Sequence, residues 1–279
     1  MTPAMPDTSG VHLRYETREG GARVAFVVLC NPAKLNALGR ALMVDFCAML
    51  EEISRDEALG VVVITGAGDT AFVGGADIDE MAAIDRPEDA RAFIGAVHAC
   101  CAAVRALPVP VIARIDGYAL GAGLELAAAC DLRVASERSI FGMPEVRLGI
   151  PSVVEAALLP MVVGWGVARE MLLLGETFDA AEALRVRLIN AVVPHTEIDA
   201  AVESRIAAVL AGGPRAIRLQ KALIRSWEDL PLNEAIAAGI DSFVAAFETD
   251  EPRTAMAAFQ VSRRARRQRR KHQADAGDQ

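Results

Sequence analysis

The stretch Val111-Ile-Ala-Arg-Ile-Asp116-Gly-Tyr-Ala-Leu-Gly121-Ala-Gly-Leu-Glu125-Leu-Ala-Ala-Ala-Cys-Asp131 decides the fold. Residues 111–115 are almost continuously apolar and read as a strand covered on both faces. Gly121 and Gly123 sit where a loop then becomes an alanine-rich helix. The first N–H groups of a helix have no partner within it and lie at the positive end of its dipole, so they can hold developing negative charge. Glu125 follows Ala122 by three residues, so its side chain projects from the same face, back toward that terminus. An anion site and a carboxylate are then neighbours. A tight strand-to-helix turn carrying a solvated glutamate is the other reading of the same residues.

The same strand-then-helix alternation extends on both sides. Upstream, residues 11–17 and 23–29 read as strands around the Gly20-Gly21 turn, and Asn31-Pro32 stops the second. Residues 38–55 form a helical pattern with Leu42, Phe46, Met49, Leu50 and Ile53 on one face. Another buried strand, 61–65, runs into the glycine-rich loop from Gly66 to Ala76, and 88–106 reads as a helix ended by Leu107-Pro-Val-Pro110. Downstream, 132–135 and 139–141 are short strand candidates, and from about residue 151 the chain reads as mostly helical. Breaks fall near Gly164, Gly175, Pro194, Gly212 to Pro214 and Pro231. Such repeated units followed by helices argue for an α/β core, placed at 1–205, with a C-terminal helical region at 206–279.

A chain of 279 residues with 53% hydrophobic content can bury a sizeable core, which excludes intrinsic disorder and a disulfide-dependent miniature scaffold. The net charge of −8 is an average over two unlike parts. Arg263, Arg264, Arg266, Arg267, Arg269, Arg270 and Lys271 are opposed in the tail only by Asp275 and Asp278, so the rest of the chain carries −13. The five cysteines have no C-x-x-C spacing and read as free buried thiols of a reducing, cytoplasmic compartment. Residues 1–7 have neither a basic start nor an apolar run, and no stretch is apolar without interruption for the length of a membrane span, so no secretory signal and no membrane partner are expected.

Three further features carry chemistry or fail to. Gly66-Ala-Gly68-Asp-Thr-Ala71 fits the G-x-G-x-x-A form of a dinucleotide loop. The stretch 83–91 is too polar and proline-broken to be the strand that such a unit needs about 20 residues on, so a nicotinamide site is set aside. Met143-Pro144-Glu145 places a second carboxylate among Phe141, Met143, Val146 and Leu148. Apolar surroundings disfavour the ionised form, which suits a proton donor; a surface glutamate in a turn is the alternative. His12, His98, His195 and His272 have no metal-ligand spacing, and no Ser-His-Asp order or Walker loop accompanies them, so no metal is expected.

Taken together, four ordered motifs resemble the enoyl-CoA hydratase/isomerase (crotonase) superfamily over nearly the whole chain. They are Asn31-Pro-Ala-Lys-Leu-Asn-Ala-Leu38, Val63 to Ile78 with its Thr65-Gly-Ala-Gly68 and Gly75-Ala-Asp77, Gly117 to Leu126, and Phe141-Gly-Met-Pro-Glu145. The resemblance implies a crotonase-like spiral of ββα units with C-terminal helices that assemble trimers, often paired into hexamers. It implies that the N–H groups of Ala76 and Ala122 form an oxyanion hole for the thioester carbonyl of an acyl-CoA. Ala33, Lys34, Asp77, Ile78, Asp79 and, loosely, Phe259 would lie along the bound substrate. Coenzyme A arrives as part of that substrate, so no separate cofactor is expected. Glu125 would orient and deprotonate water for attack on Cβ, and Glu145 would deliver the proton to Cα.

Possession of both glutamates favours hydration of a 2-enoyl-CoA over double-bond isomerisation or thioester hydrolysis. Three positions depart from the hydratase pattern. Ala122 stands where glycine is usual, and Asp79 where many hydratases carry lysine. Gly149-Ile-Pro-Ser-Val-Val-Glu155 replaces a glycine-rich loop against the acyl chain, which brings bulky valines and the extra carboxylate of Glu155. A remote alternative of another class is RNA binding through the arginine-rich tail, against which stands the lack of interleaved aromatics.

Overall fold

The computed structural model describes residues 8–277. In chain order the elements up to residue 210 are β1 (Gly10–Thr17), β2 (Arg23–Cys30), α1 (Arg40–Ser54), β3 (Leu59–Gly66), β4 (Ala71–Val73), α2 (Ile78–Ala82), α3 (Pro87–Ala106), β5 (Val111–Ile115), β6 (Tyr118–Leu120), α4 (Ala122–Ala129), β7 (Leu132–Ser136), β8 (Ile140–Gly142), α5 (Leu159–Leu174), β9 (Thr177–Asp179), α6 (Ala180–Arg185), β10 (Ala191–Val193) and α7 (Ile198–Leu210). Two single 3-10 turns, Pro144–Leu148 and Val154–Leu158, lie between β8 and α5.

Two sheets result. The larger has the order β1-β2-β3-β5-β7-β10, antiparallel at β1-β2 and parallel from there on. The smaller, β4-β6-β8-β9, is parallel except at β8-β9. Three strands of the large sheet hand the chain to a short strand of the small one and then to helix: β3-β4 to α2 and α3, β5-β6 to α4, β7-β8 to α5. This is the ββα repeat of the expected spiral.

The continuous apolar run of β3 follows from having both faces covered. Val62 and Ile64 pack into the core that contains Phe46 and Leu50 of α1 and Val97 and Val104 of α3. Val61 and Val63 pack with Ile198, Val202 and Ile206 of α7 on the opposite face. Each such side chain, fully buried, contributes about 1.5–3 kcal/mol.

Short elements escaped the sequence reading. β4 and β6 lie in stretches read as glycine-rich loops, and β9 and β10 in a region read as mostly helical. Three residues are too few to display an alternation, and their pairing is decided by partners distant in sequence. The stretch 83–91 is loop and the start of α3, as its polarity requires. None of the five cysteines is in a disulfide; Cys30, Cys100, Cys101 and Cys130 are buried and Cys47 is half-buried.

The chain divides into two compact units, residues up to Leu210 and Ala211 onward. The second consists of α8 (Pro214–Asp229), α9 (Leu232–Ala246) and α10 (Glu251–Gly277). The carboxylate of Glu251 accepts from the Arg215 and Ala216 N–H groups at 3.0 and 2.9 Å, capping the start of α8. Trp227 Nε1–H donates to the Ala235 carbonyl at 2.9 Å and ties α8 to α9. On α9, Leu232, Ile236, Ile240, Phe243 and Val244 leave an apolar stripe exposed.

Residues 1–7 and 278–279, with the reading of the N-terminus, fall outside the described residues, as do the side chains of Arg267, Arg269, Arg270 and Lys271. One described segment, Val154–Leu174, is by length and composition apolar enough to cross a membrane, with a mean hydropathy of 1.5. It is broken at Gly164, whose φ of 79° and ψ of 156° are not helical.

Candidate active site

Parallel pairing of β4 with β6 lays two chain segments side by side, Ala71 against Tyr118 and Val73 against Ala119. Both then leave the sheet together. Gly123 approaches the Val73 carbonyl so closely that a Cβ there would stand 2.0 Å from its oxygen. A Cβ on Gly75, which has φ of 126°, would touch the Leu120 carbonyl at 3.4 Å. These approaches bring the Ala76 peptide alongside the first turn of α4, where Ala122 is buried. The N–H groups that open α4 have no partner within the helix. The two alanines expected to supply oxyanion donors are thus on adjoining segments.

α4 is buried along its whole length, and its far end is held by a cation. Arg133, itself buried, donates through its Nη1 to the Ala127, Ala128 and Cys130 carbonyls at 3.3, 3.4 and 2.6 Å, and through Nε to Leu188 O at 2.7 Å. A positive group at the C-terminus satisfies the last carbonyls and complements the helix dipole. The helix that presents the site is thereby fixed at both ends.

Glu125 and Glu145 meet at the N-terminus of α4. The Gly121 N–H donates to the Gly142 carbonyl at 2.9 Å, pinning the end of β8 to the start of the helix. Glu145 follows in the turn Pro144–Leu148, and its Oε1 lies against Gly121, where a Cβ would be only 2.4 Å away. Ser152 Oγ–H donates to Glu145 Oε2 at 2.7 Å. Glu125 is 3% exposed and its Oε1 accepts the Ala156 N–H at 3.1 Å.

Burial first, and then the negative charges of Glu145 and Glu155, push Glu125 from an ordinary carboxyl value of 4.5 up to about 8; the Ala156 N–H opposes the shift. The apolar setting expected around Glu145 therefore belongs to Glu125, because α4 is sealed in the core whereas Glu145 sits half-buried on a turn. The shift favours the protonated form of Glu125 near neutral pH.

The residues expected along the substrate divide into two kinds. Ala33 and Ile78 are exposed. Asp77 is buried and caps α2, accepting from the Asp79 and Glu80 N–H groups at 3.0 and 3.3 Å. Lys34 Nζ reaches Asp77 Oδ2 at 2.7 Å and Asp79 Oδ2 at 2.8 Å. Its hydrogen bond to Asp77 chiefly holds the Lys34 ammonium protonated. Asp79, which stands where the resemblance leads one to expect lysine, is itself paired with Lys34. Phe259 lies on α10 of the second unit and is exposed.

Three residues near these groups had no role in the sequence reading. Ser152 holds Glu145. His98, treated there as unremarkable, places Nδ1 2.9 Å from Glu155 Oε1. Asn36, in the left-handed region with φ of 57°, donates through Nδ2 to the Ala67 and Ala71 carbonyls at 2.9 and 2.8 Å and so locks the loop between β3 and β4. For Asn36 a signal existed: asparagine tolerates the left-handed conformation, and it stands within the Asn31–Leu38 motif. For Ser152 and His98 none did, since their partners lie on other elements. Among the described residues no cluster of metal-ligating side chains occurs.

The spiral of ββα units places both carboxylates near the start of one buried helix. A family model described as enoyl-CoA hydratase/isomerase matches residues 19–268, and the chain belongs to that family. It is 34% identical over 244 residues, 87% of this chain and 94% of the relative, to a crotonyl-CoA hydratase of Syntrophomonas wolfei. It is also 34% identical over 242 residues to a short-chain-enoyl-CoA hydratase of Clostridium acetobutylicum, covering 86% and 92% of the two chains. Among solved structures, an enoyl-CoA hydratase from Bacillus anthracis superposes with a TM-score of 0.85 at 30% identity, over 90% of this chain and 96% of that one.

Proposed function

We propose that this chain is an enoyl-CoA hydratase that adds water syn across the double bond of a 2-enoyl-CoA thioester. The observation that carries the reading is the pairing of buried Glu125 with Glu145 at the start of α4, beside the adjoining Ala76 and Ala122 peptides. Attack of water on Cβ drives electrons onto the thioester oxygen. Backbone donors from Ala76 and Ala122 stabilise that oxygen, each donor being typically worth about 3 kcal/mol. Because they are main-chain groups, the methyl of Ala122 leaves the donor in place.

Hydration needs one carboxyl to take a proton from water and another to give one to Cα, so the pair must hold a single proton. In the resting site that proton is on Glu125. A water bound by both carboxyls passes it to Glu145, leaving Glu125 as the base and Glu145 as the acid. Lys34 is already paired with Asp77 and Asp79, so it meets the acyl-CoA as part of an ion-paired cluster. No cofactor beyond coenzyme A enters these steps.

The exposed stripe on α9 supports assembly into a homotrimer or a pair of trimers, and five cysteines without C-x-x-C spacing fit a cytoplasmic setting. The test is the glutamine series. Glu125→Gln and Glu145→Gln are each expected to lower hydration of a short 2-enoyl-CoA by about 10²–10⁴-fold while leaving binding of the thioester intact. Full activity in either variant contradicts the two-carboxylate reading. Isomerisation or thioester hydrolysis, the competing chemistries, would leave Glu125→Gln mild and Glu145→Gln or Glu155→Gln severe.

A further inference from the structure

The mechanism leaves Glu155 unused, and three observations converge on it. First, it is a buried carboxylate, 7% exposed, whose Oε1 is bound by His98 Nδ1 of α3 at 2.9 Å. Its Oε2 is buried with no hydrogen-bond partner. Burying a carboxylate costs free energy that apolar residues of similar size would not, so its presence asks for a reason. Second, the residue before it is strained. Val154 has φ of 41°, a left-handed conformation that is unfavourable for a β-branched residue and persists only where the surroundings impose it. Third, the residue after it is the one that touches the proposed base: Ala156 N–H donates to Glu125 Oε1 at 3.1 Å.

We propose that the Glu155–His98 pair is a latch that positions Glu125. It fastens the strained turn Val154–Leu158 onto α3, and the fastened turn holds the Ala156 N–H on the Glu125 carboxyl. Glu155 and His98 are positioning residues. They meet neither the water nor the thioester; they set the rotamer of the group that does. A general base misplaced by an ångström loses much of its effect, so a latch on one oxygen of Glu125 bears on the chemical step. His98 is on the outer side of α3, 58% exposed, so truncating it opens the latch without a cavity in the core.

The inference rests on the reading of Glu125 as the base for hydration, and the experiment separates the two. The probe is steady-state hydration of a short 2-enoyl-CoA by the full chain, with a melting temperature for every variant. His98→Ala is expected to lower kcat about tenfold or more while KM stays at the wild-type value, with rates taken well below each variant's melting temperature, which loss of the partner of buried Glu155 is expected to lower. His98→Asn, which keeps a donor at the place of Nδ1, restores most of kcat. The double variant His98→Ala/Glu155→Ala is no slower than the slower single one, because both substitutions open one latch. A wild-type kcat in His98→Ala, or a loss carried by KM alone, or an asparagine variant as slow as the alanine one, overturns the latch. If Glu125→Gln also hydrates at the wild-type rate, the reading of the base falls and the latch with it. If Glu125→Gln is inactive and His98→Ala unimpaired, the latch alone falls.

Discussion

At the scale of single residues, the position of one proton controls the account. Glu125 is raised because the charged form is disfavoured by burial and by two neighbouring carboxylates. The pair loses its shared proton as pH rises through about 8, and kcat/KM for hydration is expected to fall above that value. Removing the charge of Glu155 by Glu155→Gln is expected to move that limb to lower pH, read from the same rate profile. The same shift bears on stability. A carboxyl whose folded value lies above its unfolded one contributes stability at low pH that is lost as pH rises from about 4.5 to 8. Glu125→Gln is therefore expected to melt above the wild type at pH 8, by about 3 kcal/mol, with the gap closing toward pH 5. Equal melting at both values contradicts the buried proton. A stabilised but inactive variant is the ordinary signature of a residue kept for function.

Gly121 offers a second test at this scale. Its φ is 51°, and a Cβ there would meet Glu145 Oε1 at 2.4 Å. Since the obstacle is the tip of a side chain, the methyl of Gly121→Ala displaces Glu145 rather than the backbone. The expected result is a fall in kcat well beyond the roughly 1–3 kcal/mol of lost stability that the backbone conformation imposes. Hydration rates set beside thermal melts give the answer.

At the scale of elements, α4 concentrates the site. Its entry is set by Gly123, where an added Cβ would lie 2.0 Å from a main-chain oxygen that cannot step aside. Its exit is set by Arg133, which satisfies three carbonyls near its end. Arg133→Met is expected to strand these acceptors at about 1–3 kcal/mol for each group left unsatisfied, read as a lower melting temperature. An unchanged melt contradicts the capping role. The glycine pattern made this element legible from the sequence, because two glycines before an alanine run have few explanations other than a crowded strand-to-helix turn. The long strands were legible too, through runs such as Val61–Ile64 that only two covered faces explain. β4, β6, β9 and β10 were not, since three residues carry no period, and neither were the contacts of Ser152 and His98, which depend on tertiary neighbours. The burial of Glu125 was not legible either, since local neighbours in a sequence do not measure burial.

At the scale of the whole molecule, the net charge of −8 presents a problem for an enzyme of an anionic thioester. The proposed solution is main-chain: the helix-end amides at the start of α4 carry partial positive charge, whereas Lys34 is neutralised by Asp77 and Asp79. The exposed apolar residues of α9 set a further expectation, that the chain forms a trimer or hexamer in solution. Light scattering on the eluting protein measures it, and a monomer at all concentrations contradicts it.

The central claim is that this site adds water to an enoyl thioester. Incubating the full chain with a panel of 2-enoyl-CoA thioesters of different acyl length and following the products by mass spectrometry tests it most directly. The account predicts a gain of one water by at least one member of the panel, with the CoA moiety retained and no such gain in Glu125→Gln. Release of free CoA, or an altered retention time with no change in mass, contradicts it.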